Sequence, residues 1–181
     1  MIRPPETFTT ARLLARPPRV ADAPQAFAVY ASDPVATRYL SFPAYQAVTP
    51  LEEFFHTREN VWAGSSEGPL PWMLFLRDDP TQLVGSIGVT LNDRAAVFGY
   101  AIGRAYWGRG LTAEALTWLV DWALAQPGIF RAWAFCDAEN LASARVMEKA
   151  GMLREGVLRR WHIAPNISPE PRDCLVYAKV R

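Results

Sequence analysis

Gly103, Gly108 and Gly110 fall in the stretch GYAIGRAYWGRGLTAEAL, residues 99–116, where an apolar run gives way to a strongly helical one. Gly108 and Gly110 free the backbone to take positive φ and to come close to a ligand. The helix expected from Leu111 opens with N–H groups that lack intrahelical partners and carry the positive end of its dipole. Such a turn suits a phosphate or pyrophosphate, with Arg104 and Arg109 as added charge and the Thr112 hydroxyl as a further donor. The same glycines would also serve a plain strand-to-helix turn. Three nucleotide-type sites compete for it. A P-loop requires Gly-Lys-Ser/Thr, and the first lysine of the chain is Lys149, so that one fails. Gly108, Gly110 and Ala113 match the dinucleotide fingerprint in form, but that fold continues with more β-α alternation than this chain offers. An acyl-coenzyme A site is the third reading.

Asn140 and Ser143 form a second constellation. Three residues apart, they share one helix face, which Met147 and Ala150 continue inward. Asn140 is a helix cap by type, and a cap uses the side-chain oxygen while leaving the amide donors free. Cys136 and Cys174 sit in apolar, strand-like runs without metal-ligand spacing. They read as buried free thiols of a reducing compartment, and no metal site is expected.

The elements that must position these residues follow from pattern. ARLLAR (11–16) reads as a strand ended by Pro17 and Pro18. Residues 22–32 read as a helix with Asp22 as N-cap and Pro24 in its first turn. A short helix is expected over Val35–Leu40. In 49–64, Thr49 reads as the cap, Pro50 as the first helical residue, Glu52 as the capping-box partner and Gly64 as the stop. Residues 70–77, 82–91 and 95–103 read as three strands joined by the turns DDPT and NDR, an antiparallel meander. Helix 111–125 is apolar on most sides apart from Glu114, Thr117 and Asp121, so more than one layer must cover it. Strand 130–136, helix 140–151 stopped by Gly151, and strands 152–160 and 174–180 complete the order, with the loop WHIAPNISPEPR between the last two.

The 181 residues are half hydrophobic and carry a net charge of +1. This favours one domain, 1–181, with a sizeable core. The balanced charge lacks the footprint of a nucleic-acid binder. No apolar run approaches the ~20 residues that span a bilayer, and the start has no apolar segment of the signal-peptide kind. A cytoplasmic protein is expected.

GYAIGRAYWGRGLTAEAL followed by AENLASARVMEKAGMLREG resembles the GNAT superfamily of N-acetyltransferases, and most closely its RimJ/RimL-like, ribosomal-protein N-terminal branch. The general signature, Gln/Arg-x-x-Gly-x-Gly/Ala, falls on Trp107, Gly110 and Thr112, and only the glycine agrees. The branch pattern fits better, at Trp107, Gly108, Gly110, Glu114 and Ala115. The second motif is matched by Asn140, Ser143, Lys149 and Gly151, the N-terminal one by Thr10, Arg12, Leu13, Leu14, Arg16 and Asp22, and Asp173 fits ahead of the terminal VYAKV. The resemblance covers nearly the whole chain.

It implies an α/β (α+β) GNAT fold: a central mixed, mostly antiparallel sheet of about six to seven strands, flanked by helices and splayed at an acetyl-CoA cleft. Strand 97–103 would part from 130–136 at a bulge. Backbone groups near Tyr100, Ala101 and Ile102 would hold the pantetheine arm, and Gly108, Arg109, Gly110, Leu111 and Thr112 the pyrophosphate. Asn140 and Ser143 would face the coenzyme, with Ser143 as the acid to the departing thiolate. An amine would attack the thioester directly, leaving no task for a nucleophilic cysteine. The base is not assigned; Glu139, Glu155 and His162 are candidates by position. Tyr39, Phe42, Trp72, Trp161 and His162 are expected around the acceptor, a peptide N-terminus or a small-molecule amine. The assembly is expected to be a monomer or homodimer. The alternative is a catalytically silent acyl-CoA-binding module.

Overall fold

The computed structural model describes residues 2–92 and 94–181. Met1 lies outside them, as does Asp93, so the turn NDR is not described as a whole. One sheet of eight strands runs through the chain in the order β1-β2-β3-β4-β5-β6-β8-β7. The strands are β1 (Phe8–Thr9), β2 (Leu13–Arg16), β3 (Leu70–Leu76), β4 (Leu83–Leu91), β5 (Ala95–Ile102), β6 (Arg131–Asp137), β7 (Leu153–His162) and β8 (Arg172–Val180). The helices are α1 (Ala23–Ala26, widening into a π turn over Phe27–Ala31), α2 (Thr49–Trp62), α3 (Leu111–Ala125) and α4 (Leu141–Lys149). Every neighbouring pair is antiparallel except β5 and β6, which α3 connects.

Strand alternation sorts the core into two layers. Phe98 and Ile102 of β5, with Trp72 and Leu74 of β3 and Ala132, Ala134 and Cys136 of β6, pack under α3 and α4. Ala101, Met73, Phe75 and Leu83 face the other way and pack with Tyr30, Leu51 and Phe55 from the α1 and α2 side. The expected double covering of α3 is seen in Leu111, Ala115, Leu116, Leu119 and Ala123, all buried. Its polar side is taken up by neighbours: Asp121 pairs with Lys179 and Glu114 with Arg12.

Helix ends follow their local chemistry. After α4, Gly151 takes φ 79°, Met152 N–H donates to Met147 O at 3.1 Å and Gly151 N–H to Glu148 O at 3.0 Å. Those two bonds make a Schellman stop. Other ends differ from expectation. Val48, not Thr49, is the N-cap of α2, and no side chain closes a capping box. Starting one residue earlier places Pro50 still within the first turn, where its missing N–H costs nothing. Asp22 does not cap α1 by its side chain; its carboxylate takes two bonds of 2.7 Å from Arg16 and one of 2.8 Å from Arg19 N–H, which closes the 3-10 turn Val20–Asp22 ahead of α1. Residues 35–40 are turns instead of a helix. The Asp33 carboxylate caps the first turn, accepting from Val35 N–H and Ala36 N–H. Thr37 N–H reaches Asp33 O, but the bonds that follow are i→i+3, from Arg38 N–H to Val35 O and from Leu40 N–H to Thr37 O, so no α-helix propagates.

Two further differences bear on the site. β7 runs to His162, so Trp161 and His162 stand on a strand end and the loop is 163–171. The β4–β5 ladder keeps one register from Gly85↔Ile102 to Leu91↔Ala96, so β5 carries no bulge against β4; register shifts fall between β3 and β4, at Leu74/Phe75, and between β7 and β8, at Arg154/Gly156 and Leu158/His162.

Candidate active site

β5 and β6 are partnered only at Ala95↔Arg131, Ala96↔Ala132 and Val97↔Trp133. Beyond these residues the strands part, which leaves the β6-facing edge of β5 without a strand partner from residue 98 onward. Tyr100, Ala101 and Ile102 lie on that stretch. An unpaired edge buried in the sheet must find donors and acceptors elsewhere, and an extended ligand rich in amides meets that need.

α3 begins at the end of the same strand. A 3-10 turn, Arg104–Tyr106, leads from β5 to the glycines, and the Trp107 indole N–H donates to Ile102 O at 2.9 Å. That bond explains a tryptophan where the general signature has Gln or Arg: it ties the loop back to the strand. Gly108 and Gly110 take φ 74° and 75°. A Cβ on Gly108 would meet nothing within 4 Å, so conformation, not crowding, requires glycine here. Gly110 is the N-cap of α3 in the left-handed region, and the N–H groups of Leu111, Thr112 and Ala113 open the helix beside it. Arg104 is committed to an ion pair with Asp33. Arg109 is exposed, lies over the Tyr106 ring, and has no carboxylate partner among the described residues, leaving its charge for an anion.

Across the opening, α4 presents its N-terminus. Asn140 caps it, accepting Ser143 N–H at 3.2 Å, as its type predicts. The Ser143 hydroxyl lies 2.7 Å from the Tyr100 phenol oxygen, and the phenol also reaches Ser143 O at 3.2 Å. Burial pushes the Tyr100 phenol well above its ordinary range, with Ser143 pulling the other way. It stays protonated at any working pH. Burial likewise pushes the Cys136 thiol up to about 11, again opposed by Ser143. A thiol held neutral is a poor nucleophile. Met147 and Ala150 continue the Ser143 face into the core.

Tyr100 is expected at the site for its backbone alone; the structure adds its phenol, bonded to Ser143. A period-two count puts Tyr100 on the helix-covered face with Phe98 and Ile102, where a tyrosine tip needs a partner.

On the opposite face of β6, Phe135 stands 5.2 Å from the His162 ring and 6.3 Å from Trp161. Trp133, Val157, Trp161 and Val176 line an open groove there. Tyr39 and Phe42 are half-buried on the loop after α1. Asn166 joins the two regions: its amide donates to Thr37 O at 2.8 Å and Phe42 O at 2.9 Å, and its oxygen accepts Ala44 N–H at 3.0 Å. Trp72 does not belong to this rim. It has no exposed surface; Phe8 and Trp62 pack on its ring and its indole N–H donates to Pro5 O and Glu6 O. Its size and apolar bulk place it in the core, so it is withdrawn as an acceptor contact.

The three candidate bases separate on their partners. Glu139 pairs with Arg172. Glu155 pairs with Arg131, whose guanidinium holds the carboxyl below its ordinary range. His162 has no such pairing; partial burial lowers its pKa against an opposing pull from Asp137, which keeps it neutral and able to accept a proton. Among the described residues, no group of three or more His, Cys, Asp or Glu is placed to hold a metal ion, and no helix is long and apolar enough to cross a membrane.

Comparison with known proteins agrees with this architecture. Residues 12–153 match the acetyltransferase (GNAT) domain family. The chain is 26% identical over 162 residues to the uncharacterized N-acetyltransferase p20 of Bacillus licheniformis, covering 88% of this chain and 89% of that protein. Its fold is that of a GNAT-family acetyltransferase from Bacillus anthracis, with a TM-score of 0.80, 24% identity and coverage of 96% and 98%. It also superposes on RimL, the ribosomal L7/L12 α-N-protein acetyltransferase solved with coenzyme A in disulfide linkage to one of its cysteines, with a TM-score of 0.81, 16% identity and coverage of 97% and 98%. The chain belongs to the GNAT acetyltransferase family. Its fold is the mixed α/β sheet of that family, and neither a P-loop nor a dinucleotide fold.

Proposed function

We propose that this protein transfers the acetyl group of acetyl-CoA to a primary amine, on a peptide N-terminus or a small molecule, by direct attack. The divergence of β5 from β6 beside the N-terminus of α3 carries this reading, because it puts an unpaired amide edge and a phosphate-binding turn in line. Acetyl-CoA supplies an acetyl group already activated as a thioester. Gly108, Arg109, Gly110, Leu111 and Thr112 hold the diphosphate through backbone N–H groups and one free guanidinium. Tyr100, Ala101 and Ile102 offer their backbone to the pantetheine arm, with Asn140 beside it.

Chemistry divides between the two faces of the sheet. On the α4 face, Ser143 donates a proton to the departing thiolate while the Tyr100 phenol hydrogen-bonds to its hydroxyl, and solvent returns the proton to the pair. On the other face, His162 takes a proton from the acceptor amine, with Tyr39, Phe42 and Trp161 around the entrance. Cys136 and Cys174 take no part, and both remain free and buried, as suits a cytoplasmic protein. The chain acts as one domain, a monomer or homodimer, and needs no metal.

A thiol-release assay with acetyl-CoA against peptides, amino acids, aminoglycosides and polyamines tests the reading. One acceptor class should release free coenzyme well above hydrolysis. Tight coenzyme binding with no release from any amine would favour a silent acyl-CoA-binding module instead.

A further inference from the structure

The phosphate-binding turn does not stand alone. Thr10 and Arg12, at the turn between β1 and β2, meet Glu114 in the first turn of α3, a hundred residues further along the chain. Glu114 Oε1 accepts from Thr10 Oγ1 at 2.5 Å and from Arg12 N–H at 2.8 Å, and Oε2 accepts from Arg12 Nε at 2.6 Å. Partial burial opposes the charge on Glu114, but these bonds hold its carboxyl below the ordinary range. The guanidinium is thereby fixed in direction, and another of its nitrogens donates to Arg109 O at 2.8 Å. Arg12 also lies 3.6 Å from where a Cβ on Gly110 would stand.

A trans peptide points its C=O and its N–H in opposite directions. Holding Arg109 O toward Arg12 therefore turns the Gly110 N–H the other way. The peptide between Arg109 and Gly110 is flanked by Gly108 and Gly110, the residue type least opposed to a flip. Without an anchor, the turn would sample orientations that aim a carbonyl, a partial negative charge, at the anion.

We propose that Arg12, oriented by Glu114, is a positioning residue for the coenzyme diphosphate: it locks the 109–110 peptide so that the Gly110 N–H and the first N–H groups of α3 present a preformed set of donors. The proposal rests on the reading of residues 108–112 as the diphosphate site, and deepens it.

The test measures coenzyme A binding by calorimetry, and steady-state kinetics with acetyl-CoA and with acetyl-pantetheine, a donor lacking the diphosphate. Arg12→Met should weaken coenzyme A binding and raise KM for acetyl-CoA ~10-fold, the scale of one charge-assisted hydrogen bond. It should leave kcat within about twofold and KM for acetyl-pantetheine unchanged. Arg12→Lys, which can satisfy either Glu114 or Arg109 O but not both, should fall between. Glu114→Gln separates positioning from charge: it makes the site more positive, yet positioning requires weaker binding. Tighter binding in Glu114→Gln would overturn the proposal, as would an equal loss with both donors, or unchanged coenzyme A affinity in folded Arg12→Met. A wild-type protein that binds no coenzyme A would overturn the diphosphate reading itself.

Discussion

The phenol of Tyr100 on β5 and the hydroxyl of Ser143 on α4 share a hydrogen bond of 2.7 Å across the opening where β5 leaves β6. Neither group has a charged partner, and burial keeps the phenol protonated. A proton given to the thiolate would leave the pair one negative charge, so solvent must return a proton to it in the same turnover. Ser143→Ala should lower kcat roughly 100-fold or more, the scale of a well-placed acid, with KM for acetyl-CoA changed less than about twofold. Tyr100→Phe should lower kcat by a smaller factor, since water can resupply Ser143. Steady-state thiol release gives both constants. Equal activity of Ser143→Ala and wild type would move the acid elsewhere.

His162 sets the expected pH dependence. Partial burial lowers its pKa below the ordinary value near 6.5, so neutral imidazole predominates at pH 7 and the charged form grows only on acidification. If His162 is the base, kcat/KM for the acceptor falls as pH drops through an apparent pKa below 6.5. His162→Gln should remove that acidic limb and lower the plateau. A limb that survives the substitution unchanged would assign the titration to another group.

How much of this was legible in the sequence depends on how far apart the interacting residues are. Gly108, Gly110 and Gly151 were readable because positive φ and helix ends are set within a few residues, and Asn140 capped as its type predicts. The meander and the later β-α order followed from periodicity. The order of elements was thus largely visible, whereas the splay was implied by the family resemblance and occurs without the expected bulge in β5. Long-range partners were not visible: nothing near Glu114 in sequence announces Arg12, and nothing near Asn166 announces Phe42. Residues 35–40 differ because the capped turn at Asp33 continues in i→i+3 bonds and Thr37 O is taken by the distant Asn166 amide, a partner that nothing local announces. Trp72 went astray because an aromatic residue at a strand position has the same type in a core as at a rim.

Asp137 illustrates a charge next to the site whose role is structural. It is 4% exposed, and Arg172 Nε donates to it at 2.5 Å with Glu139 N–H at 2.9 Å on the other oxygen. Arg172→Met strands that carboxylate. Loss of one partner from a buried pair should cost ~3 kcal/mol, read as a lower denaturant midpoint at unchanged slope. Arg160, paired with Glu170 on the surface, is the internal control: Arg160→Met should shift the midpoint little, because exposed pairs add little. Equal shifts for the two variants would contradict the burial argument.

Asn166 separates the acceptor side of the site from the coenzyme side. Its one side chain serves Thr37 O, Phe42 O and Ala44 N–H, so the loop after α1 and the loop after β7 hold a common position. Among the described residues no hydrogen bond links Asn166 to residues 108–112, and the Tyr100 phenol bonds to Ser143 on α4 instead of to these loops. Asn166→Ala removes all three bonds and lets the two loops move independently. The acceptor's KM should rise ~10-fold or more, as expected when several positioning bonds of about 1 kcal/mol are lost together, while KM for acetyl-CoA stays within about twofold. Asn166→Asp sharpens the test: it keeps the acceptor for Ala44 N–H but turns the two donors into acceptors facing carbonyls, so it should do at least as much harm as alanine. If acetyl-CoA KM rises alongside the acceptor's in either variant, the loops also shape the coenzyme cleft and the division between the two faces fails.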